Sequence, residues 1–224
     1  MKIFISGIDT DSGKSIVTGL FAKYLLSKNK TVITQKYVQT GCVGMAEDLE
    51  THRKIMAIDL LPEDKDGTTC SYLFKHPASP HLSAQMEHIV IDAQKFTEAS
   101  QILEKKYEFV LMEGAGGLMV PLNTETLLID YIQKQDYPVI LVSCSKLGSI
   151  NHTLLSLELL KSRNMNVIAV VYNRFPNTDE MITKDSEKMI ESRLNAYFPK
   201  ATFVTVPEID IENPPLIDFS HIKY

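Results

Sequence analysis

Residues 2–15 read KIFISGIDTDSGKS, and this stretch decides the fold. An apolar run, Ile3-Phe4-Ile5, leads into Gly7, then Asp9-Thr10-Asp11-Ser12, then Gly13-Lys14-Ser15 and a helix-forming stretch. That is the layout of a phosphate-binding loop between a buried strand and a helix. Glycines let backbone N–H groups turn toward phosphate oxygens. Lys14 brings positive charge to the outer phosphates, and the Ser15 hydroxyl is placed to reach a magnesium ion. The usual pattern has about four residues between its glycines; here Gly7 and Gly13 bracket five, and Ile8 stands where a strict search expects the first glycine. Strand, Gly, Gly-Lys-Ser and helix nevertheless occur together and in order. The loop implies a nucleoside triphosphate and leaves the reaction open.

Working outward, 224 residues suit one large α/β domain, read as spanning 1–224. A hydrophobic fraction of 44% and a charged fraction of 23% are ordinary for a soluble globular protein. A net charge of -5 argues against general nucleic-acid binding, and no apolar run is long enough to span a bilayer. The strand at 2–6 runs directly into the loop, so no signal peptide is expected. Cys42, Cys70 and Cys144 form no CxxC pair, so zinc is not expected, and an odd count suggests reduced thiols in a cytoplasm. The six histidines show no ligand spacing and read as surface or satisfied core residues.

Along the chain, short apolar runs alternate with longer amphipathic stretches. Strands are expected at 2–6, 31–37, 71–74, 108–112, 138–143, 167–172 and 202–206. Helices are expected at 15–27, 46–58, 92–105 with Asp92 as N-cap, 126–134, 149–163 and 179–197. Pro62 and Gly67 break the order, and two prolines make 76–81 irregular. Continuous apolar strands separated by helices predict a mostly parallel sheet with helices on both faces. Ligands bind such sheets beyond the carboxyl ends of the strands, where the polar motifs fall.

Glu113-Gly114-Ala115-Gly116-Gly117 follows an apolar strand; an acid there, beside a phosphate loop, is placed to hold magnesium directly or through water. Lys36 ends the second strand in Lys36-Tyr37-Val38-Gln39-Thr40-Gly41 and can face the terminal phosphate opposite Lys14. Gly148-Ser149-Ile150-Asn151 opens a helix whose free N–H groups suit a carboxylate. Asn173-Arg174 ends another strand, where an amide can read a purine edge. Asp48, between Glu47 and Leu49-Glu50, is a further candidate for magnesium or its water network.

Together these motifs resemble the dethiobiotin synthetase family, from Gly7 to about Pro214. The family's phosphate loop has the same five-residue gap. Pro77-Ala78-Ser79-Pro80-His81 and Leu147-Gly148-Ser149-Ile150-Asn151-His152 are the specific segments, because glycine loops are shared more widely. Tyr37 stands where the family usually has proline, and Ser15 where threonine is commoner.

The resemblance implies a P-loop NTPase fold and an ATP-dependent cyclo-ligase that joins CO2 to 7,8-diaminononanoate and closes dethiobiotin. It implies Lys36 and Lys14 as catalytic residues and Mg2+ held by Ser15, Asp48 and Glu113. ATP would be bound by Asp11, Ser12, Gly13, Lys14, Ser15, Ile16, Asp48, Glu113, Gly114, Ala115 and Gly116, with Asn173, Arg174, Pro207, Glu208 and Ile209 around the adenine. Thr10, Thr40, Gly148, Ser149, Ile150 and Asn151 would bind the diamine, the last four from the partner subunit of a homodimer. Neither nucleic acid nor membrane is an expected partner, and the location implied is cytoplasmic. The alternative is a partitioning or positioning ATPase of the same superfamily. Those proteins usually carry an extra lysine where this chain has Ile8.

Overall fold

A computed structural model describes residues 1–176 and 179–224 of the chain. Seven strands form one sheet: β1 (Lys2–Gly7), β2 (Val32–Thr40), β3 (Cys70–Phe74), β4 (Phe109–Gly117), β5 (Val139–Cys144), β6 (Val167–Asn173) and β7 (Thr202–Val206). Their order is β3-β2-β4-β1-β5-β6-β7, and every strand pair is parallel. The helices are α1 (Lys14–Ser27), α2 (Glu47–Met56), α3 (Pro62–Lys65), α4 (Pro80–Met86), α5 (Gln94–Leu103), α6 (Leu128–Lys134), α7 (Ser149–Ser162) and α8 (Glu180–Tyr197).

The strands alternate their side chains between two cores. Phe4, Val110, Met112, Val139 and Leu141 face one cluster, with Phe96 of α5, Ile129 of α6, Leu157 of α7 and Ile190 of α8. Ile3, Ile5, Leu111, Ile140 and Val142 face the other, with Leu20 and Phe21 of α1 and Ile55 of α2. There the C-terminal segment, through Phe219 and Ile222, takes the place of a further helix. This explains why α1 buries residues around most of its circumference rather than along one stripe: it is wedged between the sheet, α2 and that segment.

The elements differ from expectation where prolines and glycines stand. Residues 76–79 are irregular as expected, but Pro80 opens α4, because proline's missing N–H and fixed φ suit a first helical turn. Pro62 likewise opens α3. The strand expected at 108–112 runs on to Gly117, so Glu113-Gly114-Ala115-Gly116-Gly117 lies in β4 rather than after it. Residue 92 is not the N-cap of α5: Ala93 is, although Asp92 Oδ1 accepts from Gln94 N at 2.8 Å. Helix α6 starts two residues late, at Leu128, because Leu127 bridges Pro121. Asp179 does cap α8, accepting from Met181 N and Ile182 N.

Candidate active site

The loop between β1 and α1 sits at the carboxyl end of the sheet's central strand. Gly13 caps α1 with φ 93 and no side-chain bond to the helix, so the first N–H groups of α1 keep their donors for a ligand. A Cβ on Gly13 would come within 2.2 Å of Asn173 Nδ2, so the loop lies against the end of β6. A Cβ on Gly7 would meet Ser12 Oγ at 2.3 Å. The Ser12 hydroxyl is therefore folded inward, and its backbone N–H is what it has to offer a phosphate.

Beside the loop opens a cavity of about 640 Å³. Of the candidate residues, Thr10, Asp11, Gly13, Lys14, Ser15, Ile16, Lys36, Thr40, Asp48, Glu113, Ala115 and Gly116 line it. Ser12 and Gly114 lie just behind: Ser12 is buried, and the Gly114 carbonyl accepts from Lys36 Nζ at 3.0 Å.

The floor is a charge cluster drawn from four elements. Lys36 on β2 contacts Asp48 Oδ2 of α2 at 2.5 Å and Glu113 Oε1 of β4 at 2.8 Å. Ser15 Oγ, at the start of α1, lies 2.8 Å from Asp48 Oδ1 and 2.9 Å from Glu113 Oε1. Lys14 Nζ donates to the Asp9 carbonyl at 2.9 Å. Asp48, not Glu47 or Glu50, is thus the α2 acid that joins the cluster.

Burial would discharge each of these groups; their neighbours decide otherwise. Burial pulls the Lys36 ammonium down, but Glu113 and Asp48 outweigh it and hold its pKa above the ordinary lysine value. Burial pushes the Glu113 carboxyl up, but Lys36 and His52 hold it well below the usual carboxylate range. At Lys14 the opposing pull of Glu113, Asp48 and Asp11 is the weaker side. Burial first, and the Lys36 charge second, lower it to about 8.

Ser15 Oγ and one carboxylate oxygen each from Asp48 and Glu113 meet within hydrogen-bonding distance. Three hard oxygen donors carrying two negative charges fit Mg2+, which takes one or two carboxylates and leaves its other positions to water and phosphate. Among the described residues no group of three or more His, Cys, Asp or Glu that could hold a metal ion occurs.

Other candidates stand apart. Asn173 Nδ2 reaches the Ser12 carbonyl at 3.4 Å, touching the loop from behind. Arg174 turns away from the cavity: its Nε and Nη2 donate to the two oxygens of Glu187 at 2.7 and 2.9 Å. Pro207, Glu208 and Ile209 follow β7, next to β6. Gly148, Ser149, Ile150 and Asn151 start α7 at the end of β5, across the loop from Lys36, and do not line the cavity of the single chain. The nearest polar link there is His152 Nδ1, 3.8 Å from Asp9 Oδ2.

Sequence reasoning missed the residues that hold the cluster. Thr18, His52, Arg53 and Asp64 are buried. The Arg53 guanidinium donates to Asp64 from Nε and Nη2 at 2.8 and 2.7 Å, pinning α2 to α3. The periodicity of α2 contained a signal: His52 stands four residues after Asp48 and so shares its face.

The parallel sheet, the loop and the helix behind it define a P-loop NTPase. A solved MinC:MinD cell division protein complex from Aquifex aeolicus superposes with a TM-score of 0.54 at 19% identity, covering 93% of this chain and 81% of that one. At that identity the likeness is one of fold. A family model described as an AAA domain matches residues 1–209. ATP-dependent dethiobiotin synthetase BioD 2 of Pasteurella multocida is 50% identical over 93% of this chain and 98% of its own length. The protein of the same name from Haemophilus influenzae is 53% identical over 81% of this chain and 95% of its own. The chain belongs to the ATP-dependent dethiobiotin synthetase family.

Proposed function

We propose that the protein carboxylates 7,8-diaminononanoate with CO2 and closes the product to dethiobiotin at the expense of ATP. The observation that carries this reading is the convergence of Lys36, from the second strand of the sheet, and Lys14, from the phosphate loop, on one cavity. Two ammonium groups facing one cavity supply the fixed positive charge that transfer of a phosphoryl group to an anionic nucleophile requires.

One amine of the substrate takes up CO2 as a carbamate and releases a proton. A carbamate oxygen attacks the γ-phosphorus, ADP departs, and a carbamic-phosphoric anhydride forms. The second amine then attacks the carbamoyl carbon and expels phosphate as the cyclic urea closes. Nucleophile and γ-phosphate are both anionic, so the barrier falls with fixed positive charge between them. Lys14 and the free N–H groups of α1 hold the phosphates, and Lys36 stands between the γ-phosphate and the carbamate. Thr40, at the end of β2, and Thr10 orient the substrate. Ser15, Asp48 and Glu113 would hold Mg2+, which when bound neutralises phosphate charge.

Gly148–Asn151 are solvent-facing or half-buried at the start of α7 apart from Ser149, and they suit the substrate's carboxylate tail if supplied by a second copy of the chain. We therefore read the working form as a homodimer of single-domain chains, with small-molecule substrates and no nucleic-acid or membrane partner. Among the described residues no helix is long and apolar enough to cross a membrane. The three cysteines are free thiols, as suits a cytoplasmic enzyme.

Phosphate release from ATP should require both diaminononanoate and bicarbonate. Turnover indifferent to the diamine would defeat the reading.

A further inference from the structure

His52 lies one helical turn beyond Asp48 on α2 and is fully buried. Its Nε2 is 2.9 Å from Glu113 Oε2, and its Nδ1 is 3.0 Å from Thr34 Oγ1. Thr18 Oγ1 donates to the same Glu113 oxygen at 2.8 Å. The two oxygens of Glu113 therefore have separate partners. Oε2 is held from behind by His52 and Thr18, while Oε1 faces Ser15 and Lys36.

The directions of these bonds follow from donor counting. An ionised carboxylate only accepts, so in the neutral ring the proton sits on Nε2. Thr34 Oγ1 accepts from Arg53 Nη1 at 2.7 Å, which leaves its own proton for Nδ1. The chain Arg53–Thr34–His52–Glu113 is thereby satisfied at every link. It runs from the buried Arg53–Asp64 pair to the floor of the cavity.

We propose that His52 is a positioning residue for Glu113. The terminal torsion of a glutamate is soft, and donors on Oε2 fix it so that Oε1 is presented to the cation and to Lys36. Because His52 and Asp48 share α2, the same bond sets the spacing of the two carboxylates. The proposal rests on the reading of Glu113 as a magnesium ligand. Outer partners of ligating carboxylates influence metal affinity about 10- to 100-fold.

The test is direct metal binding, with Mn2+ as probe and electron paramagnetic resonance as readout. It uses the full chain with a β,γ-imido analogue of ATP. His52→Leu fills the buried space without a donor, and His52→Gln restores an N–H. The Mn2+ dissociation constant should rise about tenfold in His52→Leu and return toward the wild-type value in His52→Gln. Affinity for the analogue without metal, and KM for the diamine, should not move. Unchanged Mn2+ affinity in a folded His52→Leu protein, with only its melting temperature lowered, would overturn the proposal and make His52 a structural residue. Should that variant fail to fold, His52→Asn, too short to reach Glu113, takes its place with the same two outcomes. A wild-type protein that binds no Mn2+ with the analogue would remove the metal reading itself, and the proposal with it.

Discussion

Lys36 is buried and still charged because Asp48 and Glu113 surround it. On the proposed mechanism, removing its charge from between two anionic reactants should cost kcat about 10²- to 10³-fold. The Lys36→Ala protein should nonetheless largely retain ATP affinity, because Lys14 and the loop N–H groups remain. Calorimetric binding set against steady-state kinetics checks this. Equal losses in binding and turnover would make Lys36 a binding residue only. Lys14 makes a different prediction. Burial, aided by Lys36, brings its pKa from 10.5 to about 8. It must be charged to hold phosphate, so ATP affinity should fall as pH rises through about 8. Stability responds with the opposite sign. Between about 8 and 10.5 the unfolded chain holds the proton that the folded chain has released, so this group's contribution to stability rises with pH across that window. Titrations of affinity and of melting temperature should each differ between the wild type and Lys14→Met in these two directions across that window.

Among the elements, the pairing of α1 with α2 positions the site, since α1 carries Ser15 and α2 carries Asp48. The two helices close on each other at Gly19, where an added Cβ would lie 2.9 Å from Ile55 Cβ and 3.0–3.1 Å from its other carbons. Ile55 is itself buried and has nowhere to move. Gly→Ala inside a helix ordinarily stabilises by up to about 1 kcal/mol; here overpacking by about 1–3 kcal/mol should win. Gly19→Ala should therefore lower stability in urea unfolding and, by parting Ser15 from Asp48, raise the Mg2+ concentration needed for half-maximal rate. A stabilised variant with unaltered metal dependence would contradict this. The same scale shows what a sequence makes legible. Strand and helix alternation was readable because buried parallel strands are continuously apolar. Helices α3 and α4 were not, because each begins at a proline and neither exceeds seven residues, too short for periodicity to register. The extension of β4 through its glycines was hidden because glycine disfavours strands; here Gly7 pairs with Gly117 across β1 and β4.

For the whole molecule, strand order does what no local pattern announces. β4 lies between β2 and β1, so Lys36 and Glu113, 77 residues apart in sequence, meet across one ladder beside the loop. The resemblance to dethiobiotin synthetases supplied the list of site residues; the fold shows which of them one chain brings together. It gathers the loop, Lys36, Asp48 and Glu113, and leaves Gly148–Asn151 on the far side of the loop, outside the cavity of the single chain. The supporting residues Thr18, His52 and Arg53 were illegible because their contacts are long-range and their types are common in ordinary cores.

The proposed chemistry has a consequence that isotopes read directly. If a carbamate oxygen attacks the γ-phosphorus, that oxygen leaves with phosphate when the ring closes. Turnover with 18O-labelled CO2, sampled before exchange with water, should place one 18O atom in each phosphate released and the other in the urea carbonyl. Phosphate that takes its new oxygen from water instead would contradict the phosphorylation of a carbamate in this site.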